Sequence, residues 1–166
     1  SSDLKTHIKD MFVKTNLDND YINALLEVDL KLTGELDASV YLELKDREGS
    51  VVVKGNEARV TASMSIKLPM NNPKLWSAES PYLYTLYLYI KDATGNIVEI
   101  SRQRVGFRKF EMVDKVMKIN GKRIVFKGIN RHEFDCRRGR AITKEDMLWD
   151  IKFLKQHNIN AVRRSE

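Results

Sequence analysis

A chain of 166 residues suits one domain, or a small domain with an extension, and its 42% hydrophobic and 31% charged residues are those of an ordinary globular protein. No apolar run approaches the ~20 residues of a membrane span, and the N-terminus lacks the basic, apolar and small-residue succession of an export signal. The single cysteine, Cys136, excludes an intrachain disulfide and fits a cytoplasmic location, while the net charge of +6 raises the question of nucleic acid. Much of that charge lies in 121–140, where Lys122, Arg123, Lys127, Arg131, Arg137, Arg138 and Arg140 face only Glu133 and Asp135. No interleaved aromatics or zinc-ligand spacing accompany it. A solvated or covered surface is therefore the reading, with neither nucleic acid nor membrane expected as a partner.

From the N-terminus, residues 8–13 read as a short strand. Leu26, Val28, Leu30 and Leu32 then alternate with Glu27, Asp29, Lys31 and Thr33, and Val40, Leu42 and Leu44 alternate with Tyr41, Glu43 and Lys45. Period two buries one face of a strand and wets the other. A short strand at 51–54 precedes the clearest run, Ala58, Val60, Ala62, Met64, Ile66 and Leu68, read as one strand. Residues 82–90 (YLYTLYLYI) are apolar on both faces, which suits a central strand with extra cover, and 97–105 completes the set. About seven strands in about 105 residues, punctuated by turns such as Thr33-Gly34 and Thr94-Gly95-Asn96, predict an immunoglobulin-like β-sandwich. The absence of a Cys…Trp…Cys framework points to a fibronectin-like variant.

After about Met112 the pattern changes. Asn120-Gly121 is a hairpin turn, because both central residues of a type I′ turn need positive φ. Residues 125–129 read as a short apolar strand ending in Asn130-Arg131-His132-Glu133-Phe134-Asp135. Thr143 reads as a helix N-cap followed by acidic residues, and Met147, Leu148, Ile151 and Leu154 recur at helical spacing. The helix is expected to end near His157-Asn158, and 159–163 begins another strand. Strand, loop, helix and strand make an incomplete βα segment. A (β/α)8 barrel needs ~250 residues, and only about fifty follow the sandwich, so no barrel is expected to close within this chain. The domains expected are 1–112, the sandwich, and 113–166, the start of a barrel.

Three segments together resemble glycoside hydrolase family 2, and within it the β-galactosidases. Leu75-Trp76-Ser77-Ala78-Glu79-Ser80-Pro81-Tyr82-Leu83-Tyr84 is similar to the family's run into a late sandwich strand. Val105-Gly106-Phe107-Arg108, Ile119-Asn120-Gly121-Lys122 and Lys127-Gly128-Ile129-Asn130-Arg131-His132-Glu133 resemble its passage into the first barrel strand. Asn160-Ala161-Val162-Arg163 resembles the start of its signature N-x-x-R-x-S-H-Y-P. The resemblance implies a fragment of a retaining hydrolase of terminal β-galactosides, with two catalytic glutamates on later barrel strands and no catalytic residue in this chain. By the same resemblance His132 contacts the galactosyl ring, and Arg163 sits beside the nucleophile and helps keep it ionised. The chain departs from the signature at Arg164-Ser165-Glu166, where the family has a histidine after the serine, so that second histidine has no counterpart here. No cofactor is expected of this segment, and any need for a divalent cation belongs to the parent protein.

Other chemistries fit less well. His132-Glu133-Phe134-Asp135-Cys136 looks like a zinc-protease motif with cysteine in the last place, but that chemistry needs two ligands on one helical face and this stretch follows a strand. Glu133 and Asp135 are not read as a catalytic carboxylate pair. Trp76 reads as corner packing, and Tyr82, Tyr84, Tyr87 and Tyr89 as strand packing. The alternative function is an independent sandwich that binds carbohydrate or protein, which saturable calorimetric binding of galactosides would favour. The apolar faces of the βα segment are expected to fold back, swap between chains into an oligomer, or stay mobile.

Overall fold

The computed structural model describes residues 6–34, 36–132, 138–139 and 141–164, and of Arg164 only the backbone. The chain forms two compact units, Ser1–Lys122 and Arg123–Glu166.

The first unit is a sandwich of antiparallel sheets. One sheet has the order β1-β2-β6, with β1 His7–Leu17, β2 Ala24–Thr33 and β6 Ser63–Met70. The other runs β4-β3-β7-β8, with β3 Ala38–Lys45, β4 Val51–Lys54, β7 Tyr84–Asp92 and β8 Ile97–Val105, and β5 (Ala58–Arg59) also pairs with β3. The inward residues are those the alternation selects: Leu26, Val28, Leu30, Val40, Leu42, Leu44, Leu86, Leu88 and Ile90 are all buried. Their removal from water is the main force holding the sheets together.

The run 58–68 is two strands rather than one. β5 pairs Ala58 with Val40 in one sheet, whereas β6 pairs Leu68 with Leu26 in the other. The chain changes sheets across 60–62 and keeps its hydrogen bonds as it does so: Val60 donates to the Ala38 carbonyl at 2.9 Å, and the Ala62 carbonyl accepts from Leu32 at 3.0 Å. Val60 is buried at the crossing. Alternation persists through a change of sheet because each sheet presents its inner face to the same core, so the sequence period has no break there.

Central β7 receives its extra cover from side chains. Tyr41 and Tyr89 stack at 4.7 Å with planes 9° apart, and Tyr87 lies beside Tyr89. The Lys45 ammonium sits 4.6 Å over Tyr87, and those of Lys54 and Lys91 each sit 4.9 Å from Tyr41. On the inner side Tyr84 packs edge-on against Phe107 at 5.4 Å, its hydroxyl accepts from the Lys74 amide at 2.8 Å, and burial pushes its pKa above a tyrosine's ordinary value.

The parts of the family resemblance that lie in this unit, around Trp76, 105–108 and Asn120, meet at one corner. Trp76 donates its amide to the Phe107 carbonyl at 2.8 Å, and the Arg108 guanidinium lies 4.4 Å from the Trp76 ring. A Cβ on Gly106 would stand 3.1 Å from Trp76, so glycine permits this close approach. Asn120 closes the corner: its Oδ1 accepts from the Lys109 amide at 2.9 Å and its Nδ2 donates to the Trp76 carbonyl at 3.0 Å. Gly121 has φ +75° and lies against Tyr21, where a Cβ would come within 2.7 Å of the ring. Trp76 is corner packing, as expected.

A hairpin of β9 (Phe110–Val113) and β10 (Val116–Ile119) precedes the Asn120-Gly121 turn into β11 (Lys122–Arg123). Its own turn is Asp114-Lys115 at φ 51° and 63°, a positive-φ pair without glycine.

In the second unit β12 is Gly128–Arg131, later than the strand expected at 125–129. Asn160 accounts for the shift. Its Oδ1 accepts from the Lys127 amide at 2.9 Å and its Nδ2 donates to the Val125 carbonyl at 2.9 Å, so a side chain supplies the partners a ladder would have given. Helix α1 (Lys144–Gln156) starts in a capping box: Thr143 Oγ1 accepts from the Asp146 amide, and Asp146 Oδ2 from the Thr143 amide. It ends at His157, with Asn158 at φ 61°. Met147, Leu148, Trp149, Ile151 and Phe153 are all exposed, so the apolar residues ring the helix instead of forming one stripe. β13 (Ala161–Arg164) runs parallel to β12, which makes a βαβ unit.

Candidate functional site

The chemistry-bearing residues of the second unit gather at the C-terminal end of the β12–β13 pair, where α/β barrels build their sites. The parallel register sets Gly128 beside Ala161, Ile129 beside Val162, Asn130 beside Arg163 and Arg131 beside Arg164. Neighbours in register share a face, so Asn130 and Arg163, both exposed, stand side by side. Ile129 and Arg131, both half-buried, take the other face, toward α1.

Arg131 is held there by Asp150. Its Nε and Nη2 both donate to Asp150 Oδ2, at 2.8 and 2.5 Å, with side-chain exposures of 19% and 34%. Ile129, Asn130, Arg131, His132, Asp150, Phe153 and Leu154 line a recess of about 290 Å³ beside the pair. His132 is the residue immediately after β12 and is exposed. The structure thus brings His132 and Arg163 to the same end of one two-stranded sheet.

This arrangement offers an imidazole, an amide and a fixed cation, which suit hydrogen bonding to hydroxyls and stabilisation of a nearby anion. Among the described residues it offers no carboxylate pair, since Asp150 is already committed to Arg131. Among the described residues no group of three or more His, Cys, Asp or Glu could hold a metal, and no helix is long and apolar enough to cross a membrane. The basic stretch is partly neutralised, since Arg138 pairs with Asp146 at 2.7 Å and Arg131 with Asp150. The zinc-protease-like run from Glu133 to Cys136, the Glu133–Asp135 pair, Arg137, Arg140, Ser165 and Glu166 lie outside the described residues.

The resemblance gives no role to Asn130 or Asp150. Alternation along Ile129-Asn130-Arg131 would have put Asn130 on the face opposite Arg131. Asp150 falls one turn before Phe153 and Leu154, which marks the helix side that meets the strand.

The order of these elements is matched by known proteins. The family model for glycosyl hydrolases family 2 covers residues 6–108, and that for the family's TIM barrel domain covers 110–166. The chain belongs to glycosyl hydrolases family 2. It is 52% identical over 161 residues to the β-galactosidase of Clostridium acetobutylicum, a match that takes in 97% of this chain and 18% of that protein. With the Streptococcus thermophilus β-galactosidase it shares 49% over 164 residues, 97% of this chain and 16% of the relative. The chain therefore spans less than a fifth of the length of these relatives. Among solved structures, β-glucuronidase from Ruminococcus gnavus in complex with D-glucuronic acid superposes with a TM-score of 0.82 at 26% identity, covering 96% of this chain and 26% of that one. The mainly β fold, a family 2 sandwich followed by the start of the barrel domain, is the one expected from the strand pattern.

Proposed function

We propose that this chain is the sandwich and opening βαβ unit of a cytoplasmic, retaining β-galactosidase, and that His132 and Arg163 support its substrate site. The observation that carries the reading is the 52% identity to a β-galactosidase along 97% of the chain, twice the identity found with the β-glucuronidase. Hydrolysis with retention needs two carboxylates flanking the glycosidic bond and an oxocarbenium-like transition state. In this reading both belong to later barrel strands. His132 would hydrogen-bond a galactosyl hydroxyl, and Arg163 would hold the nucleophilic carboxylate in its charged form, since a fixed positive charge favours ionisation of a neighbouring acid.

A chimera tests this directly. This chain replaces the matching segment of the Clostridium acetobutylicum enzyme, and turnover of a chromogenic β-galactoside is measured. The chimera is expected to be active, and His132→Ala or Arg163→Ala to lower kcat/KM on the order of 100-fold, the scale of losing one oriented transition-state donor. A folded chimera without activity, or one indifferent to both substitutions, refutes the reading. The 166-residue chain alone is expected to give no turnover, and measurable hydrolysis by the pure chain would show that its own groups break the bond.

A further inference from the structure

β12 is four residues long, and its last residue, Arg131, reaches to the middle of α1 instead of toward solvent. Two donors of one guanidinium converge on Asp150 Oδ2, and a two-donor, charge-assisted contact fixes direction as well as distance. Ile129, Phe153 and Leu154 give the pair an apolar surround in the adjoining recess. A partly buried ion pair adds little net stability, so its value lies in the geometry it imposes. The geometry imposed is local. Successive strand residues point to opposite faces, so tying Arg131 to the helix fixes the side and direction in which the chain leaves the strand. The residue that leaves is His132.

We infer that Arg131 and Asp150 are positioning residues for His132: their ion pair ties the strand end to the helix and so sets where the imidazole stands. The consequence for catalysis rests on the role proposed above for His132, whereas the tie itself does not. Either partner lost, the end of β12 loses its two-donor tie to the middle of α1.

The test uses the whole chain and the imidazole NMR signals of its three histidines, His7, His132 and His157. Asp150→Asn is expected to shift or broaden the His132 ring signal and leave that of His7 unchanged. Arg131→Lys keeps the charge but loses the planar two-donor fork, and is expected to behave as Asp150→Asn does. Thr143→Ala is the control, because it weakens the helix through its N-cap without touching the pair; it is expected to leave His132 where it was. A His132 signal unmoved by Asp150→Asn overturns the inference, and so does one moved equally by Thr143→Ala. The two readings fail separately: a moved His132 signal combined with a chimera indifferent to His132→Ala removes the galactosyl contact and keeps the positioning.

Discussion

Replacing Asn120 by alanine strikes the corner where the sandwich's distinctive segments converge. The substitution removes two hydrogen bonds, from the Lys109 amide at 2.9 Å and to the Trp76 carbonyl at 3.0 Å, both partly buried. Each net neutral bond contributes about 0.5–1.5 kcal/mol, so their loss costs about 1–3 kcal/mol. Asn120 also has φ 51°, where asparagine is tolerated and alanine is not, which adds roughly 1 kcal/mol. The sum is a loss of about 2–4 kcal/mol. Asn120→Gly accepts the backbone conformation and isolates the hydrogen-bond share, so it should lie roughly 1 kcal/mol above alanine. Urea unfolding followed by Trp76 fluorescence reads both, in a Trp149→Phe background that leaves Trp76 as the sole tryptophan. A midpoint for Asn120→Ala indistinguishable from the parent would refute the corner's role. Equal losses for alanine and glycine would refute only the backbone share.

Further outcomes follow from the same structure. Lys115→Gly relieves a left-handed residue in the β9–β10 turn and should raise stability by about 1 kcal/mol, and a drop in the urea midpoint would contradict this. Leu88→Ala, at a fully buried position, should cost about 2–5 kcal/mol in the same experiment. The Thr143 backbone amide, then its hydroxyl, hold the Asp146 carboxyl below the ordinary aspartate range. Since folding lowers this pKa, the helix N-terminus gains stability above the usual carboxylate pKa and loses it as pH falls through the folded value. Circular dichroism should therefore show helix loss on acidification, and Asp146→Asn should flatten that part of the profile. The ring of apolar side chains on α1 should drive concentration-dependent association in sedimentation velocity, abolished by Ile151→Lys; a single monomer boundary at every concentration would contradict it.

The sandwich was legible because its core obeys one rule: inward residues of β2, β3 and β7 recur at period two with few interruptions. The rule's blind spots are equally physical. Alternation cannot reveal that 58–68 changes sheets, because both sheets face a common core. Asp114 tolerates positive φ, but Lys115 stands where the turn signature has glycine, so the pair does not announce itself. β12 lies later than its apolar residues suggest, because Val125 and Phe126 are exposed and Asn160 satisfies the backbone beside them. At the candidate site, the motif names His132 and Arg163, but their surroundings, Asn130 beside Arg163 and Asp150 paired with Arg131, follow from register and helix phase.

The Asn120-Gly121 corner also bears on how the protein ages. Asparagine followed by glycine is open to deamidation, in which the glycine amide attacks the side-chain carbonyl. In the folded chain that side chain is engaged at both ends, by the Lys109 amide and the Trp76 carbonyl, and is not free to swing toward the attacking nitrogen. Unfolding releases it, and the aspartate that results has lost the donor that met Trp76. A chain held unfolded for long is then progressively less able to rebuild its corner, so the fold protects the residue that closes it.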